Sequence, residues 1–213
     1  KEKLLLEDII AHELSGIAER YKRLGLSVRQ GNALKESLVR KGLVKEKVIS
    51  LLPLRNTRRL LLMLTEKGRK DLGVGVESKR KGGFEHRFWV EEIGKALRRQ
   101  GFRVDYEWAL GGGRTVDIVA KGKGRTIAIE VERKLRNCLR NVEKCAKAGF
   151  KEIWVFLTDR EKKEELSRLL SERGFGGVKV FCSVEDVPIL REAMGERRLP
   201  SWALELIKRY EGG

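Results

Sequence analysis

The stretch VDIVAKGKGRTIAIEVERK, residues 116–134, carries Asp117 in one apolar run and Glu130 and Glu132 in the next. Side chains alternate along a strand, so Glu130 and Glu132 share one face while Ile127, Ile129 and Val131 take the other. A hairpin between the two runs would bring Asp117 beside the glutamates. Carboxylates gathered in an apolar setting repel one another and lose hydration, and a cation offsets both penalties. Such oxygen donors suit Mg2+ or Mn2+, which retain waters and bridge to phosphate oxygens. The matching chemistry is metal-assisted phosphodiester hydrolysis, in which the ion orients the phosphate, lowers the pKa of a bound water and stabilises the developing charge. Asp117, Glu130 and Glu132 are the expected metal ligands.

The elements that must position them run from residue 84 onward. FEHRFWVEEIGKALRRQG is an amphipathic helix with His86, Val90, Ile93 and Leu97 on one stripe. FRVDYEWAL, RTVDIVAKG and RTIAIEVER read as strands, turned at GGGR (111–114) and KGKG. NCLRNVEKCAKAG is a helix closed by Gly149, and the nearly all-apolar EIWVFLT is a strand buried on both faces. REKKEELSRLLSERG, VKVFC and a helix near Trp202–Tyr210 complete the order. The expectation is an α/β sandwich around a central mixed sheet. GGGR precedes a strand, so it is a hairpin turn and not a phosphate-binding loop. No Walker-type loop is present, and His12 and His86 are too few for a Ser–His–Asp arrangement. The tryptophans 89, 108, 154 and 202 are spaced like core or interface residues rather than a base-stacking set.

In this part the sequence resembles the PD-(D/E)xK, or restriction-endonuclease-like, nuclease superfamily. The resemblance covers about residues 84–182 and rests on the leading helix, GGGRTVDIVAKG, AIEVE and NVEKCAKAGFKEIWVFLTD. It places Asp117 at the motif aspartate and Glu130 at the motif acid. Glu132 stands where the motif has lysine, and Val116 replaces proline. It implies a DNA nuclease using Mg2+ or Mn2+, with Asp117, Glu130 and Glu132 at the centre. Lys134, two residues on, is the candidate substitute cation, against the plainer reading of an exposed strand-end lysine. Glu85 or His86 is the candidate additional group from the leading helix. Arg114, and Asn141 among Arg136, Asn137, Arg140 and Asn141, are the candidate phosphate contacts. The nearest local likeness is to archaeal Holliday-junction-resolvase-like domains and to nuclease-like domains attached to mobile-element ATPases. A homodimer, and an ATPase partner or fused module, are the associations this implies. The alternative is a catalytically inactive nuclease-fold module that binds DNA or regulates a larger ATPase.

Residues 1–74 have a different order. Leu4, Leu5, Ile9, Ile10 and Leu14 give a first helix. Ser15 is the expected cap of a second, ended by Gly25, and Ser27 caps a third, VRQGNALKESLVRKG, ended by Gly42. LVKEKVISLLPL and RRLLLMLT form a hairpin around Arg55-Asn56-Thr57, and Thr65 caps EKGRKDLG. RKGLVKEKVI with its hairpin and LTEKGRKDL resembles the winged helix-turn-helix regulators of archaea and bacteria. That resemblance puts Ser27, Arg29, Gln30, Asn32 and Lys35 on a major-groove helix and Arg55, Asn56, Arg58 and Arg59 on a wing. The same fold also serves as a protein-docking module. GVGVESKRKGG, residues 73–83, reads as linker, giving a winged helix at 1–74, a linker at 75–83 and a nuclease-like domain at 84–213.

The formal net charge is +16. Residues 1–82 hold 20 basic against 10 acidic side chains, and the rest hold 27 against 21. Both halves favour a polyanion, and double-stranded or branched DNA is the expected partner. A charged fraction of 37 % equally fits a solvated, heat-adapted surface. Cys138, Cys145 and Cys182 make neither a disulfide framework nor a zinc module, which points to a reducing, cytoplasmic setting. No apolar run reaches membrane-spanning length, so no membrane association is expected. The first residue is lysine, so the chain is expected to be a processed or excised piece of a longer polypeptide.

Overall fold

A computed structural model describes residues 1–50, 58–75 and 82–182. The chain divides into two units, Lys1–Phe88 and Trp89–Gly213.

The first unit is three helices, a hairpin and a short helix. α1 (Glu2–Ala11), α2 (Ile17–Arg23) and α3 (Val28–Arg40) precede β1 (Val44–Ser50), β2 (Arg58–Leu64) and α4 (Glu66–Asp71). α3 starts where expected: Ser27 Oγ accepts from the Gln30 N–H, and the Gln30 side chain accepts from the Ser27 N–H. This closes two of the N–H groups a helix start leaves open. Thr65 caps α4 in the same way through the Gly68 N–H. The expected cap of α2 does not hold: Gly16 takes that position without a side-chain bond. The hairpin is antiparallel, from Val44 opposite Leu64 to Ser50 opposite Arg58. Leu5, Leu6, Ile9, Leu38, Val44, Leu62 and Leu64 form the core between the helices and the hairpin.

Arg20 is fully buried at the α1–α2 corner. Its guanidinium donates to Asp8 Oδ2 at 2.6 Å, to the Asp8 carbonyl at 2.8 Å, and to the carbonyls of His12 and Glu13. It therefore ties the end of α1 to α2, adding a second bond to the Asp8 and His12 carbonyls, which already accept the His12 and Ser15 N–H groups, and reaching the Glu13 carbonyl.

In the second unit, α5 (Phe84–Arg99), which contains the division, leads to β3 (Arg103–Gly111), β4 (Arg114–Gly122) and β5 (Arg125–Glu132). α6 (Leu135–Lys147), β6 (Glu152–Leu157), α7 (Lys163–Glu172) and β7 (Lys179–Phe181) follow. The sheet order is β3-β4-β5-β6-β7. The first three strands are antiparallel, and β6 and β7 join parallel through α6 and α7. The mixed sheet expected from the sequence is thus present, with strand limits within two residues of those read from it. The helix expected from residue 160 begins as a 3-10 turn, Arg160–Lys162.

Both hairpin turns follow from backbone chirality. Gly112 and Gly113 have φ of 58° and 70°, and Lys123 and Gly124 have 53° and 70°. Two successive positive φ values match the right-handed twist of the flanking strands. Ala128, Val155 and Leu157 pack with Cys138, Val142, Cys145, Leu166 and Leu170 beneath α6 and α7. Phe156 has the opposite parity, and its ring lies 4.8 Å from that of Trp89 on α5. The sheet therefore has α5 on one face and α6 with α7 on the other.

The turn Arg55–Thr57, linker residues 76–81 and the helix expected near 202–210 lie outside the described residues. The division falls within α5, whose first turn lies in the first unit, where Arg87 donates to Glu13 at 2.7 Å. No helix among the described residues is long and apolar enough to cross a membrane.

Candidate functional site

The β4–β5 ladder runs from Gly122 opposite Arg125 to Ile118 opposite Ile129 and ends there. Asp117 and Glu130 would form the next opposed pair. At that point the backbone partnership is replaced by a side chain: the Val131 N–H donates to Asp117 Oδ2 at 2.9 Å. β4 has parted from β5, and the gap is where the two carboxylates stand.

Glu130 is 1 % exposed on β5. Burial, then the Asp117 charge, pushes its carboxyl up to about 7, against the opposing pull of Lys144 and Cys145. Lys144 Nζ lies 2.8 Å from Glu130 Oε1, and the Cys145 thiol donates to the same oxygen at 3.4 Å. Lys144 also donates to the Thr115 carbonyl at 2.6 Å. Burial and the neighbouring Glu130 push the Cys145 thiol up, so it stays protonated and acts as a donor.

Glu132 lies further along β5, with surroundings of its own. Asn141 Nδ2 donates to its Oε1 at 2.8 Å and Asn137 Nδ2 to its Oε2 at 3.3 Å. Asn137, Asn141 and Lys144 are spaced i, i+4, i+7 and form one polar stripe on α6. Beside it runs the apolar stripe of Cys138, Val142 and Cys145, all fully buried. Packing the apolar stripe on the sheet delivers the polar one to Glu130 and Glu132. Lys144 is the residue that sequence reading missed. Its signal was present: a cation in line with two asparagines on the inner flank of the helix that follows AIEVE.

The expected three-carboxylate metal set is not assembled. Among the described residues, no three His, Cys, Asp or Glu side chains come together as a metal-holding group. Asp117 and Glu130 are the electrostatically coupled pair, and Glu132 is held by the two amides. The candidate cation Lys134 is exposed at the N-cap of α6, and the ammonium bonded to Glu130 is that of Lys144 instead. Asn141, expected at phosphate, is buried and bonded to Glu132.

Glu85 and His86 lie in the first turn of α5 and belong to the first unit. Glu85 is exposed and His86 half-buried, with its ring against Gly82. Arg114 is exposed at the start of β4. Arg133, Lys134, Arg136 and Arg140 form an exposed basic run from the end of β5 into α6.

On α3, Arg29 is exposed, while Ser27 and Gln30 are committed to the capping box. Asn32 accepts from the Tyr21 hydroxyl at 3.2 Å, and Lys35 pairs with Glu46 at 2.5 Å. Arg59 is half-buried, its stem against Gly16 and its guanidinium 4.0 Å from Glu19. Arg58 begins β2, and Arg55 and Asn56 lie outside the described residues.

No protein-family model, curated protein or solved structure matches the chain.

Proposed function

We propose that this chain is a DNA-binding, metal-dependent phosphodiesterase of the PD-(D/E)xK type, with a winged-helix-like first unit. The observation that carries the reading is the Asp117–Glu130 pair at the parted end of β4 and β5. Burial and the neighbouring Asp117 charge both oppose ionising Glu130, and an external divalent cation offsets both. Mg2+ is commonly held by one or two carboxylates, with waters and substrate phosphate completing its shell. A two-carboxylate site therefore fits the donor set, and Asp117 and Glu130 would hold Mg2+ or Mn2+. When bound, the ion supplies charge neutralisation at phosphate and a water of lowered pKa.

The rest is done by the chain's own residues. Val131 N–H fixes Asp117, Lys144 and Cys145 fix Glu130, and Asn137 and Asn141 hold the Glu132 side chain. Arg133, Lys134, Arg136 and Arg140 offer phosphate contacts from the strand end and the exposed side of α6. Duplex or branched DNA is the substrate class that the charge favours.

One observation favours a second reading, a DNA-binding module without catalysis: Lys144 is already an internal cation on Glu130. Plasmid and four-way-junction DNA incubated with Mg2+ or Mn2+ decides between them. Cleavage lost in Asp117→Ala supports the first. DNA binding without cleavage in either ion supports the second and sinks the first.

A further inference from the structure

Asp117 and Glu130 stand on strands whose ladder has ended one pair earlier, at Ile118 and Ile129. Backbone hydrogen bonds between β4 and β5 therefore do not set the spacing of the two carboxylates. One tie across the gap is the Val131 N–H to Asp117 Oδ2. A second comes from outside the two strands. The Lys144 ammonium on α6 lies 2.8 Å from Glu130 Oε1 on β5 and 2.6 Å from the Thr115 carbonyl on β4. Thr115 is two residues before Asp117, on the part of β4 that has left β5. The Lys144 side chain is only 14 % exposed, so solvent screens these contacts weakly. Both hydrogen bonds to Glu130 fall on Oε1, which fixes the orientation of the carboxylate.

We infer that Lys144 is a positioning residue that ties the parted end of β4 to β5 and so sets the spacing of the Asp117 and Glu130 carboxylates. The inference rests on reading that pair as the cation site. It gives the α6 lysine a role that no residue of β5 fills, because the cation reaches across to a β4 carbonyl as well as to Glu130. A lysine suits this role, since three donors on one nitrogen can serve a carboxylate and a carbonyl at once. Methionine at this position keeps an unbranched side chain, one atom shorter, and removes every donor.

Two readouts on the full chain test this. The first, without metal, is amide hydrogen exchange at Val131, whose N–H spans the gap. Lys144→Met should speed it by about tenfold or more, leave Ala128 inside the intact ladder unchanged, and Lys144→Arg should restore protection. The second is Mn2+ binding by calorimetry. Lys144→Met should weaken it by about 10–100-fold, the usual scale for a residue that orients a ligand, with recovery in Lys144→Arg. Unchanged exchange at Val131 in Lys144→Met overturns the inference. Tighter Mn2+ binding also overturns it, because Lys144 would then be a competing counter-ion. If Lys144→Met does not fold, Lys144→Gln, which keeps a shorter donor, is read by the same exchange criterion. Wild-type protein that binds no Mn2+ overturns the metal reading alone, and the Val131 exchange still decides the role of Lys144.

Discussion

Asn141 donates its side-chain amide to Glu132 Oε1 at 2.8 Å, so the second glutamate of β5 is held by a helix amide, whereas Glu130 meets the Lys144 ammonium and the Asp117 charge. The two glutamates share a strand face and have different surroundings. Glu130→Gln should therefore lower Mn2+ affinity by about tenfold or more, and Glu132→Gln should change it by about twofold or less, as calorimetry would show. Glu132→Ala should instead cost stability, about 1–3 kcal/mol in a denaturant melt, because the buried Asn141 amide loses its acceptor.

Asp117 has a structural bond as well as its proposed ligand role. Asp117→Asn retains an oxygen that can accept from the Val131 N–H, whereas Asp117→Ala does not. Both should lose metal-dependent cleavage by about 100-fold or more. Only Asp117→Ala should also speed amide exchange at Val131. Equal exchange in the two variants would show that the Oδ2 bond does not hold the strand end.

Arg136 and Arg140 are exposed on α6, four residues apart on one side. Two guanidiniums so spaced can neutralise two phosphates. Replacing either by Ala should reduce the slope of log affinity against log salt by about one unit, with a uniform loss across DNA sequences. Fluorescence anisotropy over a salt series measures it. An unchanged slope in both variants would remove this face from the DNA interface.

Asp8 should govern the acid limb of stability in the first unit. Burial raises its carboxyl, but the bonds from Arg23 and Arg20 outweigh that and hold it below its ordinary value. A depressed folded value means that the stabilisation is present above the unfolded pKa of about 3.9 and is lost as pH falls through the folded value. Asp8→Asn should cost about 3–5 kcal/mol near neutral pH, because it leaves Arg20 buried without its counter-charge. It should also flatten the loss of stability below about pH 4, measured by melts over a pH series.

Much of the fold was legible because local rules act within a few residues. Ser27 and Gln30 satisfy each other's backbone three positions apart, and Gly112-Gly113 turn the chain wherever two strands flank them. Alternation in TIAIEVE separated Ile127, Ile129 and Val131 from Glu130 and Glu132, and the sheet keeps that division. The polar residues expected on a DNA-facing side of α3 were less legible. Asn32 and Lys35 are polar and well spaced, yet Tyr21 and Glu46, far off in sequence, engage them. The buried Arg20 was also missed, since an arginine in AERYKR looks like any surface cation until the end of α1 folds over it.

Among the described residues, the sequence by itself determined the order of helices and strands, the two turns of the second unit, and the strand faces that carry Asp117, Glu130 and Glu132. Periodicity, chirality and capping are short-range, and each is written in neighbouring residues. Only the tertiary structure decided what each carboxylate meets. The early end of the β4–β5 ladder gave Asp117 the Val131 N–H, and the docking of α6 gave Glu130 a lysine and Glu132 two asparagines. Those partners lie between 5 and 15 positions away in sequence. Their meeting depends on how the apolar stripe of α6 packs on the sheet, which fixes the helix rotation and with it the residue that reaches each acid.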